Sequence, residues 1–378
     1  MRKLCLSAVF VLAIALAAAP LLAENVVYPQ DFPPKVLQSG GGLTNVVAPS
    51  DSGSGKSPSL SGNIVTFNSG TVNFVIGAVN ANDMDVVEGN QVFIKGGTVD
   101  KAVWGAYCES CNVVGNSVTV SGGSGMNEDV MGGYSNNGGA MNNSVTVTGG
   151  SINMPVYGGL AGGHATGNTV TISGGTLMVG VAGGSSDSGG DATGNTVIIN
   201  GAPTFVAGYE IYGGTSWGGG DEFHGNTLEF GTSIPITVEI VANFEHYEFS
   251  IPASVGNGGT VLTVTDPVDL SGTTLDITGT GKVKNGNTIT LISNVIGTPN
   301  TIHGAPYVPD ADIVTSSGTW RFSIAGGALT ATAVSVPSSG GGGGGGCNVS
   351  GDNYGGVSGA LFCLLALAAL GVYRRVRA

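Results

Sequence analysis

Seven asparagines, Asn63, Asn90, Asn116, Asn143, Asn168, Asn195 and Asn226, recur at intervals of 27, 26, 27, 25, 27 and 31 residues, each within one recurring short phrase. The phrase reads GNSVTVSGG at 115–123, NNSVTVTGG at 142–150 and GNTVTISGG at 167–175. Self-similarity at a period of this size leaves few folds open, because a chain that repeats one small unit buries its apolar face by stacking the copies. The second and fourth residues after each asparagine are apolar, as in Val118 with Val120, Val145 with Val147 and Val170 with Ile172, and the residues between them are mostly Ser or Thr. That alternation of two is the pattern of a strand with one face in a core. Glycines then mark a corner, and a shorter apolar pulse follows (Thr98 with Val99, Ser151 with Ile152, Thr176 with Leu177). A third signature places an apolar or aromatic residue before glycine: Trp104, Met131, Tyr157 and Tyr212 precede Gly105, Gly132, Gly158 and Gly213.

Three short strands and three corners use up one period, so the expected fold is all-β. It is a parallel β-helix (β-solenoid) of about seven coils of ~26 residues over 62–232. Like residues then lie above like, and the asparagines stack into a hydrogen-bonded ladder. A β-sandwich of short strands is the alternative, but its strands have no reason to repeat the same residues at a constant interval. The 68 glycines, two to three times ordinary usage, follow this period and read as turn residues. Length varies in the segments just before the asparagines, at 82–89, 109–115, 135–142, 164–167, 185–194 and 216–225. These loops should line one edge of the rod, the first place to expect specific contacts. Beyond Gly231 the asparagine period breaks. Strand-like segments at 236–240, 261–265, 274–277, 288–292, 320–324 and 328–334 suggest a less regular carboxy-terminal β cap over 233–335.

Charge narrows the partners. From Ala102 to Gly281 there is no Lys or Arg against fifteen Asp and Glu, and the whole chain carries a formal charge of −13. Nucleic acid is excluded as a partner of such a surface, since phosphate binding needs clustered cations. Residues 1–23 have a basic start, an apolar stretch and a small residue, Ala23, before Glu24, and read as a secretory signal peptide. The Pro-rich stretch 24–61 reads as a leader. At the other end come a Gly-rich linker at 336–346, Cys347, an apolar run at 357–373 and then Arg374, Arg375 and Arg377. Seventeen residues at about 1.5 Å each span about 26 Å, a marginal membrane crossing, and the arginines would hold its end in the cytoplasm.

This tail resembles bacterial carboxy-terminal sorting signals of the GlyGly type, most closely the Synergist-type and Myxo-type variants with a Cys after the glycines. The resemblance implies cleavage by an envelope sorting protease near Gly346 and Cys347 and transfer of the exported chain to the cell envelope or surface. The repeats, with the later GTVLTVTDPVDLSGTTLDIT and NTITLIS, resemble autotransporter passenger domains and related adhesins over roughly 60–335. That resemblance implies a right-handed helix and a non-enzymatic adhesin or structural envelope protein with glycans or surface proteins as partners. No set of long alternating strands is present to build the outer-membrane barrel of that family.

Candidate chemistry is sparse. Cys108 and Cys111 form a C-x-x-C whose simplest reading in an exported chain is a local disulfide. No metal ligand set and no cofactor motif is apparent. Asp187 with Asp191, and Asp221 with Glu222, fall in loops of successive coils, where paired carboxylates could serve glycoside hydrolysis or bind calcium. A carbohydrate-active β-helix enzyme is therefore the competing expectation, although no cation stands near to handle an acidic sugar. Trp104, Tyr134, Tyr157, Tyr212 and Trp217 are rings that could stack on sugars.

Overall fold

A computed structural model describes residues 26–27, 36–37, 45–47, 50–51, 60–80 and 86–337, which form strands and turns and no helix. The expected signal peptide, most of the leader, and the tail with Gly346, Cys347, Arg374, Arg375 and Arg377 lie outside the described residues. Among those described, no helix is long and apolar enough to cross a membrane; the run at 357–373 falls outside them.

The asparagine phrases form strands that pair in parallel and in register. Val118 lies between Val92 and Val145, and Val145 is followed by Val170. All four valines are buried, while the Ser and Thr between them face outward. β-branched residues suit this pleated, half-buried wall, and each fully buried Val or Ile contributes roughly 1.5 to 3 kcal/mol. This front wall stacks ten parallel strands from Ile64–Phe67 to Thr301–Ile302, hence about nine turns of a β-solenoid. The spacing of asparagines suggested about seven. The difference arises because His246–Phe249, Thr274–Ile277 and Thr301–Ile302 continue the wall without that residue. The expected cap over 233–335 is therefore largely coil. Closure comes from Asp312–Thr315, Gly318–Ala325 and Ala328–Ser335, an antiparallel meander laid on Thr288–Ile292 that buries Trp320, Phe322 and Leu329.

One coil carries four walls. The front strand Ser117–Val120 turns at Gly123 into a short wall at Ser124–Gly125, and then into a back wall at Val130–Met131 that continues as Tyr134–Ser135. A loop returns through the two-residue strand Ala140–Met141 to the next asparagine. The back wall is pinched where the two glycines sit. A Cβ on Gly158 would lie 2.3 Å from the carbonyl oxygen of Gly183 and 2.9 Å from the Cβ of Asn168. Only glycine fits there. The pinch divides the interior into a main core, running from Val65 to Val336, and a small lobe. The apolar part of the lobe is Leu60, Ala78, Val87, Ala106, Cys108, Cys111, Val113, Ala140, Ala161 and Ala165, and it continues past them through the buried Ser185, Ser186 and Ala192.

The asparagines stand at this waist. Each backbone N–H and each Nδ2 donates to the Oδ1 of the asparagine one coil on, at 2.7–3.3 Å from Asn63 through Asn226. The second Nδ2 proton goes to a carbonyl of the lobe: Leu60, Val87, Val113, Ala140, Ala165 or Ala192. Each inner member thus has its amide fully paired in a buried place, the condition under which burying it is tolerable. The ladder ends where the lobe ends. Between Thr227 and His246 one turn takes only 19 residues, because the chain passes from Ile240–Ala242 directly to the front wall. Glu245 then stands in the asparagine's place and accepts from the Gly225 N–H at 2.6 Å.

Candidate functional site

Outward-facing residues of the back wall form files along the rod axis. One file holds Ile76, Trp104, Met131 and Tyr157, and the other, across the waist, holds Val79, Tyr107, Tyr134 and Leu160. Because the glycines draw the backbone inward between the files, rings on either side approach one another. Trp104 and Tyr107, three residues apart, stack with centroids at 5.7 Å; Trp104 to Tyr134 is 5.5 Å, Tyr107 to Tyr134 is 5.3 Å, and Phe74 to Trp104 is 5.8 Å. All four rings are half-buried, and the Trp104 indole N–H is buried without a hydrogen-bond partner. The result is a ring-lined strip along the outer face, a groove in the sense that the backbone between its two files is drawn inward, with Ile76 and Met131 buried among the rings.

Planar polar groups border it. The Tyr107 hydroxyl donates to Glu109, Asn136 Nδ2 donates to the same carboxylate at 2.8 Å, and the Tyr134 hydroxyl donates to Asn136 Oδ1 at 3.4 Å. Lys101 sits over the Phe74 ring at 5.2 Å and pairs with Glu128 at 3.6 Å. Asp129, two residues before Met131, and Asp187, two residues after Ser185, flank the tyrosine files from opposite sides. Burial, with the charges of Glu128 and Asp187, pushes the Asp129 carboxyl up to about 6, and burial raises Asp187. The Tyr134 phenol is pushed up to about 12 by burial and then by Asp187, Glu109 and Asp129; Tyr157 moves the same way.

The four carboxylates singled out from sequence do not converge. Asp191 and Asp221 meet on the loop edge, where Asp191 Oδ1 accepts the Asp221 N–H at 3.0 Å. Asp221 Oδ1 accepts from the amides of Phe223 and His224, and its Oδ2 pairs with His224 Nδ1 at 2.5 Å. Against slight desolvation, these bonds hold the Asp221 carboxyl below its usual range. Glu222 Oε2 accepts the Ser216 N–H at 2.9 Å. Asp187 stands apart from the other three, on the groove side. Of the rings, Trp104, Tyr134 and Tyr157 line the groove, Tyr212 lies two coils beyond Tyr157 in the same file, and Trp217 is 51% exposed on the loop edge. Cys108 and Cys111 are bonded inside the small lobe, Cα to Cα 5.6 Å. Sequence reading missed Phe74, Tyr107, Glu109 and Asp129. Aligning the coils on the waist glycine finds Asp129, because its file carries Phe74, Ala102, Pro155 and Gly180 in the neighbouring coils and a second carboxylate, Glu210, only two coils on from Pro155.

A second hollow of about 410 Å³ lies on the front wall near its carboxy-terminal end, lined by Thr227, His246, Glu248, Asp276 and His303 among others. Its polar groups are largely engaged with one another: His303 pairs with Asp276 at 2.8 Å and His246 bonds Thr274 at 2.6 Å. Among the described residues no group of His, Cys, Asp and Glu is placed to hold a metal ion. No family model, curated protein or solved structure matches this chain.

Proposed function

We propose that the chain is an exported, surface-anchored β-solenoid that acts as a non-enzymatic adhesin or structural envelope protein. In this reading an envelope sorting protease acts near Gly346 and Cys347. The run at 357–373 engages the membrane, with Arg374, Arg375 and Arg377 on the cytoplasmic side, and the rod meets glycans or surface proteins outside. The observation that carries the non-enzymatic part is the employment of the loop carboxylates. Asp191, Asp221 and Glu222 each accept a backbone N–H of their own edge, which is the work of loop braces. Fractionating the producing cells and mass-mapping the mature carboxy terminus tests the reading. It expects the chain in the envelope with residues beyond Gly346 removed or Cys347 altered, and intact chain in the cytoplasm overturns it.

One observation favours the carbohydrate-active enzyme as a second reading: Asp129 holds its proton to about pH 6 beside a ring-lined groove. Release of reducing ends from polysaccharides, lost in Asp129→Asn and Asp187→Asn, would support it.

A further inference from the structure

The groove differs from the rest of the rod surface in ways that select a ligand. Rings occupy four successive levels: Phe74, then Trp104 with Tyr107, then Tyr134, then Tyr157. Successive levels are about 4.8 Å apart, which is close to the length of one pyranose unit in an extended chain. Flat apolar rings suit the C–H faces of sugars. The interlocked Tyr107, Glu109, Asn136 and Tyr134 groups offer both donors and acceptors to equatorial hydroxyls. Charge excludes the acidic alternatives: Glu109, Asp129 and Asp187 border the groove, and the nearest cation, Lys101, is already paired with Glu128. A peptide adding itself as a strand needs an open sheet edge, and the back-wall strands here are bonded to neighbours both above and below.

We infer that the outer groove from Phe74 to Tyr157 is a binding cleft for an uncharged oligosaccharide, lying along the rod axis with about one sugar per coil. The inference rests on the proposed role as a surface binder and names the chemistry of what is bound. The full-length chain is titrated with cellohexaose, laminarihexaose and mannohexaose, and with an oligogalacturonate as the acidic control, by calorimetry and by tryptophan fluorescence. At least one neutral hexasaccharide should bind and the oligogalacturonate should not. Trp104→Ala and Tyr134→Ala should each weaken binding tenfold or more, Trp104→Phe should retain part of it, and Trp217→Phe should leave it unchanged. Thermal unfolding of each variant verifies that it is folded, and Trp104→Phe keeps the test open if Trp104→Ala is not. Failure of all three neutral sugars to bind, or binding unmoved by the groove variants, overturns the inference. Envelope location is read separately by fractionation, so the two can fail independently. Cleavage of a bound hexasaccharide would overturn the non-enzymatic reading and leave the cleft standing.

Discussion

At the scale of single residues, the waist sets the sharpest constraints. Asn168 accepts two hydrogen bonds from Asn143 and donates to Asn195 and to the Ala140 carbonyl, all in a buried setting. Asn168→Ala strands both Asn143 donors, and leaving a buried donor unpaired costs about 1 to 3 kcal/mol. A loss on the order of 3 kcal/mol in chemical unfolding is expected, and Asn168→Asp should be no better because it places a charge there. Gly158→Ala should be similarly damaging, since its new carbon meets the backbone of the next coil at 2.3 Å. The comparison is Gly256→Ala, where the nearest heavy atom would be 3.8 Å away and stability should move by no more than about 0.5 kcal/mol. Asn142 occupies, with φ 55°, the left-handed position that Gly115, Gly167 and Gly194 take in neighbouring coils. Asparagine is among the few side chains that accept that conformation.

At the scale of elements, the back wall carries a built-in acid response. The Asp129 carboxyl ionises near pH 6 in the fold against 3.8 unfolded, so the folded state holds the proton more tightly. Its stabilising contribution is present in full below about pH 4 and is lost as pH rises through 6. A tenfold difference in proton affinity between the two states is worth about 1.4 kcal/mol, so a decline on the order of 2 to 3 kcal/mol between about pH 4 and 7 is expected from this group. Asp129→Asn should flatten that slope and be the more stable protein at neutral pH, as read by denaturant melts across the range. The raised carboxyls of Asp187 and Glu229 act in the same direction, and the lowered Asp221 opposes them.

The front wall was legible from sequence because four-residue strands such as Ser144–Val147 are long enough to show alternation. The ladder was legible because identical side chains in identical settings must recur. The small lobe was not, since Val113–Val114 and Ala140–Met141 are two residues long and leave no period to read. The last turns were hidden for a related reason: the asparagine marks the crossing of the waist, so its disappearance after Asn226 signals the end of the lobe and not of the coil. The groove was half visible, as rings before glycine. What brings Trp104 and Tyr107 face to face is the inward bend at Gly105 and Ala106, which resembles an ordinary corner in the chain.

For the whole molecule, stability should follow the sum of neighbouring coils and their interfaces. Deleting residues 143–167 joins Asn142 to Asn168 and removes one level while keeping the register of every wall. The shortened protein should fold, with strand content scaled to its length. A disordered far-ultraviolet spectrum, or a native-like one with no near-ultraviolet signal, would contradict simple stacking. The meander at the far end is less forgiving. Trp320→Ala empties the site of its largest fully buried side chain, at about 3 to 5 kcal/mol, and should let the bared end of the solenoid self-associate in size-exclusion chromatography.

That 19-residue turn between Thr227 and His246 also separates two inheritable properties. The near-identical phrases lie wholly on the lobed storeys, none in the stretch that fastens the far end, so insertion or deletion of a whole unit between copies falls there. Gain or loss of a storey would lengthen or shorten the trough on the outer face, and with it the reach available to a long ligand, while the lid stays as it was. A lineage could thus tune how much it grasps without relearning how to close.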